Sequence, residues 1–249
     1  MGTQAPHQIT VKLLGTCCLI ADGTLVQGVP ASFFRIAAYL ILSTPDQVQP
    51  RSRLAALLWP NAEDGKAGAN LRQAVARIRH LQDQQGFRLI EASVSTLHLA
   101  PGPEVYCDLI EMIRHISGDV TYSPHALCKI YGGELLADQG SSSSEFEDWL
   151  SSRRDELLLQ AVDGIAEGIH ADGQYTQNER SACARRLLEL DPYREDAVRV
   201  LMAEAAERRH FVRVSELYAS MRSVLADDLG VEPSPETRAL YTSLMEAVR

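Results

Sequence analysis

Residues 65–81, GKAGANLRQAVARIRHL, combine cationic and amide side chains with a helical spacing of apolar residues. At 100° per residue the apolar side chains share one stripe: Leu71, Ala74, Val75, Ile78 and Leu81. The polar side chains form two edges of the same helix, Lys66, Asn70, Gln73, Arg77 and His80 on one and Arg72 and Arg79 on the other. Only Ala69 and Ala76 lie between these edges. Guanidinium and amide groups bind phosphates and base edges, so the pattern predicts a helix that enters a DNA major groove.

A solvated helix face is the alternative interpretation of the same residues, because exposed arginines on helices often contact only water. His80, close to the predicted helix end, is interpreted as a neighbour of a phosphate or a solvated side chain rather than as a switch. Arg51 and Arg53 begin the preceding predicted helix, RSRLAALLWP, and face either phosphates or water. The elements around these residues therefore decide between the two interpretations.

Short strands and helices surround the basic helix in a recognisable order. Residues 9–29 are β-branched and apolar with a turn at Ala21-Asp22-Gly23, and residues 32–43 have the spacing of a helix. Residues 87–99 predict a hairpin joined around Ala92 to Ser95. This order resembles a winged helix-turn-helix of the OmpR/PhoB type, in which the third helix enters the major groove and the hairpin is the wing. We therefore predict a DNA-binding domain at 1–103.

The stiff sequence Pro101-Gly102-Pro103 is the predicted domain boundary, and the periodicity beyond it is helical. The predicted helices span 106–117, 123–131, 145–170, 177–189, 194–208, 211–228 and 235–248. Two similar segments, ADGQY at 171–175 and ERRHF at 207–211, recur at a spacing close to the ~34 residues of a tetratricopeptide unit. The predicted fold is thus mainly α with a small β part, in which an all-α, tetratricopeptide-like solenoid occupies 104–249. Such solenoids bind protein partners on a concave face.

Charge divides the chain in the same way. The formal net charge is -9, but residues 1–100 hold nine Lys or Arg against six Asp or Glu, a balance of +3. The remaining residues hold fifteen against twenty-seven, a balance of -12. Only the first part is expected to be attracted to phosphate.

Several other classes of protein find no support in the sequence. The five cysteines are odd in number and contain no C-x-x-C pair, which predicts a reduced, cytoplasmic protein. The longest apolar runs are too short to span a bilayer, and MGTQAPHQIT lacks the pattern of a secretory signal. The histidines are scattered, with no H-E-x-x-H, and neither G-x-S-x-G nor a phosphate-binding G-x-x-x-x-G-K-[ST] is present. We therefore predict no enzymatic activity, no metal and no cofactor.

Longer runs resemble a known family. The run at 187–245, which includes LADDLGVEPSPETRALY, is similar to the bacterial transcriptional activation domain, and YGGELLAD at 131–138 with FEDWLSSRRDEL at 146–157 is similar to its opening. RSRLAALLWPNAEDGKAGANLRQAVARIRHL resembles the DNA-binding half of the Streptomyces antibiotic regulatory proteins. This resemblance implies a transcription activator that binds direct repeats near a promoter and recruits RNA polymerase.

The sequence departs from the family pattern in its wing, IEASVSTLHL, where Glu91 stands in place of a basic residue. Because the +3 balance is low for one copy, we expect tight binding to need two copies on adjacent repeats, as a homodimer on DNA, or help from polymerase. The alternative hypothesis is a protein-interaction adaptor, or a protein that responds to a small signalling molecule, with weak or lost DNA binding.

Overall fold

The computed structural model describes residues 8–43, 48–62, 65–121, 123–140, 143–170 and 173–246. These residues form two compact units. The first contains the chain up to Asp119 together with 130–157, and the second contains 120–129 together with 158–249. Along the sequence, the chain therefore changes from one unit to the other within residues 104–249, which the sequence predicted to form a single solenoid.

The first unit begins with a small sheet. Its strands are β1 (Ile9–Lys12), β2 (Cys18–Ala21), β3 (Thr24–Leu25) and, later in the chain, β7 (Val105–Cys107). β1 pairs antiparallel with β2 and parallel with β7, in the order β3-β2-β1-β7. The predicted turn between β2 and β3 is present, with Asp22 at φ 48° and Gly23 at φ 78°. Two successive residues with positive φ match the twist of a hairpin.

Three helices and a second sheet follow. The helices are α1 (Ala31–Ile41), α2 (Arg51–Leu58) and α3 (Lys66–Gln84), and the strands are β4 (Val48–Pro50), β5 (Ile90–Ala92) and β6 (Thr96–Leu99). β6 lies between β4 and β5, so the predicted hairpin β5–β6 gains a third strand. α1 packs on α3 and on β6, and Phe33, Ile36 and Leu40 are fully buried in this core. The winged helix-turn-helix fold predicted from the sequence is confirmed.

The first unit does not end at Pro101-Gly102-Pro103. β7 pairs with β1 immediately after this sequence, and α4 (Asp108–Ser117) packs on β1 and on α1. Asp108 explains the attachment, because its buried carboxylate accepts hydrogen bonds from the backbone N–H groups of Leu13 (2.8 Å) and Leu14 (3.1 Å). A domain boundary at 103/104 remains a prediction, but the compact unit continues across it.

The segment YGGELLAD also belongs to the first unit. Leu135 forms a β-bridge with Leu14, and the backbone chains touch so closely that a Cβ on Gly132 would lie 2.7 Å from the carbonyl oxygen of Leu14. Only glycine allows this approach. Arg154 then donates hydrogen bonds to the carbonyl oxygens of Leu135 (2.8 Å) and Leu136 (3.0 Å). The segment YGGELLAD, with which the family resemblance begins, is therefore attached to the first unit by backbone contacts.

In the described residues of the second unit, all regular secondary structure is helical. Its helices are α5 (Pro124–Ile130, to Lys129), α6 (Ser144–His170, from Leu158), α7 (Gln177–Leu190), α8 (Glu195–Glu207), α9 (Phe211–Val224) and α10 (Pro235–Glu246). A π-helical turn, Leu225–Leu229, extends α9. Successive helices pack as α7 on α8, α8 on α9, and α10 on both α8 and α9. Val198, Met202, Val214 and Met221 form the core between them. The predicted all-α, tetratricopeptide-like part is confirmed as a fold class.

Candidate nucleic-acid interface

The apolar stripe of α3 is buried as its spacing predicts. Leu71, Ala74, Val75, Ile78 and Leu81 are each less than 9% exposed. α3 packs on α1, α2 and β5. A helix held along one face by three elements cannot rotate, so its other face is fixed relative to the unit.

The opposite face of α3 presents the predicted polar residues to solvent. Six of the seven are exposed and Asn70 is half-buried; the exposed ones are Lys66, Arg72, Gln73, Arg77, Arg79 and His80. Ala69 and Ala76 are exposed between the two edges. No large side chain therefore stands on the ridge that would approach a base pair.

Three arginines on this face keep their charge unpaired within the described part of the chain. Arg72, Arg77 and Arg79 form no ion pair there, and the acid nearest to them on α3, Asp83, pairs with Arg88 at 2.6 Å. A cation without an internal partner retains its full attraction for an external anion. The three guanidinium groups are thus available for phosphate or for the O6 and N7 atoms of guanine.

The two predicted residues of α2 differ in exposure. Arg53 is exposed, whereas Arg51 is half-buried and its Nε has no hydrogen-bond partner among the described residues. The backbone N–H of Arg51 donates to the carbonyl oxygen of Ser95 in the wing at 2.9 Å. The start of α2 is therefore adjacent to the wing, and Arg51 is close to both elements.

Gln82 attaches the wing to α3, and sequence analysis missed it. The side chain is 2% exposed. Its Oε1 accepts hydrogen bonds from the backbone N–H groups of Leu89 and Ile90, both at 2.9 Å, and its Nε2 donates to the carbonyl oxygen of Ile90 at 2.9 Å. Three bonds from one buried amide fix the start of β5 against the helix. The only signal in the sequence is an amide at a position next to the apolar stripe.

The wing, residues 90–99, contains no lysine or arginine. Glu91 and His98 are cross-strand partners, and their side chains approach within 3.3 Å (Oε2 to Nε2). At the tip Ser93 and Thr96 share a hydrogen bond of 2.8 Å between their hydroxyl groups, and Val94 is 96% exposed. The tip therefore offers hydroxyls and one apolar side chain, and Glu91 is turned toward His98. This arrangement agrees with the expectation that the wing adds little attraction for phosphate.

The family-like motif of the second unit joins two segments of that unit by hydrogen bonds. Tyr193, in the DPYRED segment, donates a hydrogen bond to Asp228 of the π-helical turn at 3.2 Å. Glu195 accepts from the backbone N–H (2.9 Å) and hydroxyl (2.7 Å) of Ser234, just before α10. Gly230, at φ 67°, ends the turn in a left-handed conformation. Two segments distant in sequence are thereby joined, so their residues belong to the scaffold rather than to a ligand site.

The described residues contain neither a membrane-spanning helix nor a metal site. None of the helices there is long and apolar enough to cross a membrane. No group of three or more His, Cys, Asp or Glu side chains among the same residues is arranged to hold a metal ion.

Comparison with known proteins agrees with this geometry. Residues 125–245, just under half of the chain, match the family described as the bacterial transcriptional activator domain. The chain is also similar to the transcriptional regulatory protein MoaR1 of Mycobacterium tuberculosis and of Mycobacterium bovis. In each case the identity is 24% over 95% of this chain and 79% of the relative.

A solved structure of Mycobacterium tuberculosis EmbR in complex with a low affinity phosphopeptide shares the fold. The TM-score is 0.57 at 20% identity, and the match covers 97% of this chain but 66% of the EmbR chain. The chain is thus similar to bacterial transcriptional regulators, and it combines a winged helix with an all-helical second unit. The resemblance to activators of the Streptomyces antibiotic regulatory protein type is confirmed.

Proposed function

We propose that the protein is a sequence-specific, DNA-binding transcription activator whose α3 lies in the major groove. The observation that carries the proposal is the exposed face of α3, on which three arginines without an ion pair among the described residues flank an alanine ridge. Lys66, Arg72, Arg77 and Arg79 supply contacts to phosphate and guanine. Asn70 and Gln73 add base-edge contacts, since amides bind adenine in a bidentate manner.

The neighbouring residues complete the proposed interface. Arg51, Arg53 and His80 contact phosphates at its border, and the wing lies against the adjacent backbone without a strong charge contact. The helical activator domain recruits RNA polymerase, as the family likeness implies. The protein binds repeated sites near a promoter as a homodimer on DNA, and it acts in the cytoplasm. This function needs no catalytic step.

Selection from random duplexes tests the proposal. The full chain is incubated with a pool of random double-stranded DNA, and bound duplexes are recovered and sequenced over several rounds. We expect a repeated motif to be enriched. A salt titration on the selected site should then give a linear fall of log K with log salt, with a slope of roughly -0.9 for each phosphate contacted. Failure to enrich any motif, or binding that salt does not weaken, would contradict the proposal.

A protein-interaction adaptor is the second candidate, and one pocket of the second unit favours it. Arg185, Arg208 and Arg213 line this pocket of about 200 Å³. Buried Glu204 holds Arg185 at 3.3 Å and Arg208 at 2.9 Å. Arg213 pairs with Glu216 at 3.2 Å, so the three arginines exceed the two glutamates by one positive charge, and the pocket suits an acidic peptide segment. The same salt titration separates the candidates, because an adaptor would bind DNA weakly at every salt concentration.

A further inference from the structure

Two cysteines of the second unit are in contact. The Sγ atoms of Cys128, in α5, and Cys183, in α7, lie 3.6 Å apart although the residues are 55 positions apart in sequence. The Sγ of Cys128 is also 3.3 Å from the carbonyl oxygen of Pro124. All five cysteines of the chain are present as free thiols.

Close packing of three helices holds the thiols together. Gly168 lies in α6 beside both partners: a Cβ at this position would be 2.6 Å from the Sγ of Cys183 and 2.8 Å from the Cβ of Pro124. Without a side chain, Gly168 lets α5 and α7 approach α6 at the same point. The contact between the two sulfur atoms is therefore part of a tightly packed junction.

The surroundings of the two thiols differ. Cys128 is half-buried, and its pKa is lowered mainly by the hydrogen bond with Cys183 and also by the positive charge of Arg186, against the opposing effects of burial and Glu189. Cys183 is 1% exposed, and the hydrogen bond to Cys128, together with burial, raises its pKa. Since the thiolate is the reactive form, this difference and the greater exposure of Cys128 favour Cys128 as the group that reacts first, with the Sγ of Cys183 3.6 Å away.

The remaining buried cysteines provide an internal contrast. Burial raises the pKa of Cys107 to about 12, and burial with the nearby Asp138 raises that of Cys17. Neither has a second sulfur within hydrogen-bonding distance among the described residues. They are expected to be inert packing groups.

We propose that Cys128 and Cys183 form a reversible redox site, which a peroxide oxidises to an intramolecular disulfide. The Cys128 thiolate attacks one oxygen of hydrogen peroxide, the O–O bond breaks, and the products are a sulfenic acid and hydroxide. The sulfur of Cys183 then attacks the sulfenic sulfur, the S–S bond forms, and the hydroxyl group leaves with the Cys183 proton as water. Two thiols and one peroxide thus give one disulfide and two waters, and a dithiol reverses the change.

The disulfide ties α5 to α7 and closes a long loop. A cross-link of this kind restricts the unfolded chain, so the oxidised second unit is expected to melt at a higher temperature than the reduced one. The inference rests on contacts within the second unit and is independent of the proposed DNA binding.

The experiment uses the full chain and graded hydrogen peroxide. After quenching, free thiols are alkylated, and peptide mapping under non-reducing conditions locates any cross-link. We expect a 128–183 disulfide to form at lower peroxide than oxidation of the other cysteines, to disappear with a dithiol, and to raise the melting temperature by several degrees. In C183S, Cys128 should accumulate as a sulfenic acid that dimedone traps. In C128S, Cys183 should resist oxidation.

C17S is the matched control, because it removes a buried thiol outside the pair and should leave the cross-link intact. Three results would overturn the proposal. They are cross-links distributed among all the cysteines, oxidation of Cys18, the half-buried thiol at the start of β2, before Cys128, or equal dimedone labelling of Cys128 and Cys183 in the two single variants. Each readout is made without DNA, so failure of the proposed DNA binding would not affect it.

Discussion

Arg77 is the side chain on which base recognition is most directly tested. It is exposed on α3, one turn from Gln73, and it has no ion pair among the described residues. We expect Arg77→Ala to weaken binding to the selected site by about 1–3 kcal/mol, since one bidentate contact to a base is worth that much. The variant should also discriminate less strongly between the four bases at one position of the site. Competition gel shifts with single-base variants of the site measure both effects.

Arg238→Ala is the matched control, because it removes the same charge from an exposed position on α10. Affinity and sequence preference should be unchanged in this variant. If Arg77→Ala lost affinity equally for every sequence, Arg77 would contact only phosphate. If it lost none, α3 would not be the recognition helix.

The polar residues of α3 could be predicted from the sequence because a period of 3.6 separates a buried stripe from an exposed face. Gln82 could not be predicted in the same way. An amide beside the stripe has the composition of a surface position, and its burial depends on backbone groups of β5 that only the folded chain brings near. Asp108 is similar, because its partners Leu13 and Leu14 are more than ninety positions away.

At the scale of elements, the contact between α3 and the wing depends on Gln82. Replacement by leucine keeps the volume but leaves the backbone groups of Leu89 and Ile90 without partners. Each orphaned group costs about 1–3 kcal/mol, so we expect Gln82→Leu to lower the free energy of unfolding by about 3 kcal/mol. Urea denaturation measures this loss, and hydrogen exchange should accelerate at the amides of Leu89 and Ile90.

Gln84→Leu provides the control, because Gln84 is exposed on the same helix. The free energy of unfolding of the Gln84→Leu variant should differ from that of the natural chain by less than about 0.5 kcal/mol, the usual range for a surface substitution. Equal losses in the two variants would mean that hydrophobicity on α3, rather than the bonds of Gln82, determines the result.

The helices and the β5–β6 hairpin were predicted from the sequence, whereas β4 and β7 were missed. Each of these strands has only three residues, which is too short for alternation to be visible, and each follows or contains proline. β7 pairs with β1 across most of the first unit's sequence. Pairing over such a separation is decided by tertiary packing, so the composition around Pro101-Gly102-Pro103 indicated a boundary where the compact unit continues.

For the molecule as a whole, Asp108 couples stability to pH. It is 3% exposed, and burial raises its pKa to about 6 against the opposing effect of three backbone hydrogen bonds. The folded protein thus holds this proton at a pH where the unfolded chain has lost it. The stabilisation is complete below about pH 4 and is lost as pH rises through about 6, with a slope of up to about 1.4 kcal/mol per pH unit.

Asp108→Asn removes this titration. Urea denaturation between pH 4 and 7 should show that the difference in unfolding free energy between the natural chain and the variant depends on pH only in that window. Asp148→Asn, at an exposed position, should run parallel to the natural chain. A pH-independent difference for Asp108→Asn would show that Asp108 is ionised in the folded state throughout this range.

The distribution of charge over the whole chain leads to the last prediction. The formal net charge of the protein is -9, and α3 presents only three arginines that lack an ion pair among the described residues, so a single copy neutralises few phosphates while the rest of the molecule repels DNA. Two copies bound to adjacent repeats each place an α3 on the DNA, so together they make twice as many phosphate contacts. Binding to a two-repeat site should therefore be cooperative, and its salt slope should be about twice that of one repeat.

Spacing between the repeats tests this geometry. Insertion of half a helical turn, about 5 base pairs, places the second copy on the opposite side of the duplex, and cooperativity should be lost. Insertion of a full turn, about 10 base pairs, returns both copies to one side and should restore part of it. Gel shifts that resolve singly and doubly bound duplexes measure the cooperativity directly. Equal affinity for one repeat and for two, whatever the spacing, would show that one copy is sufficient and that the low charge of the first hundred residues does not limit binding.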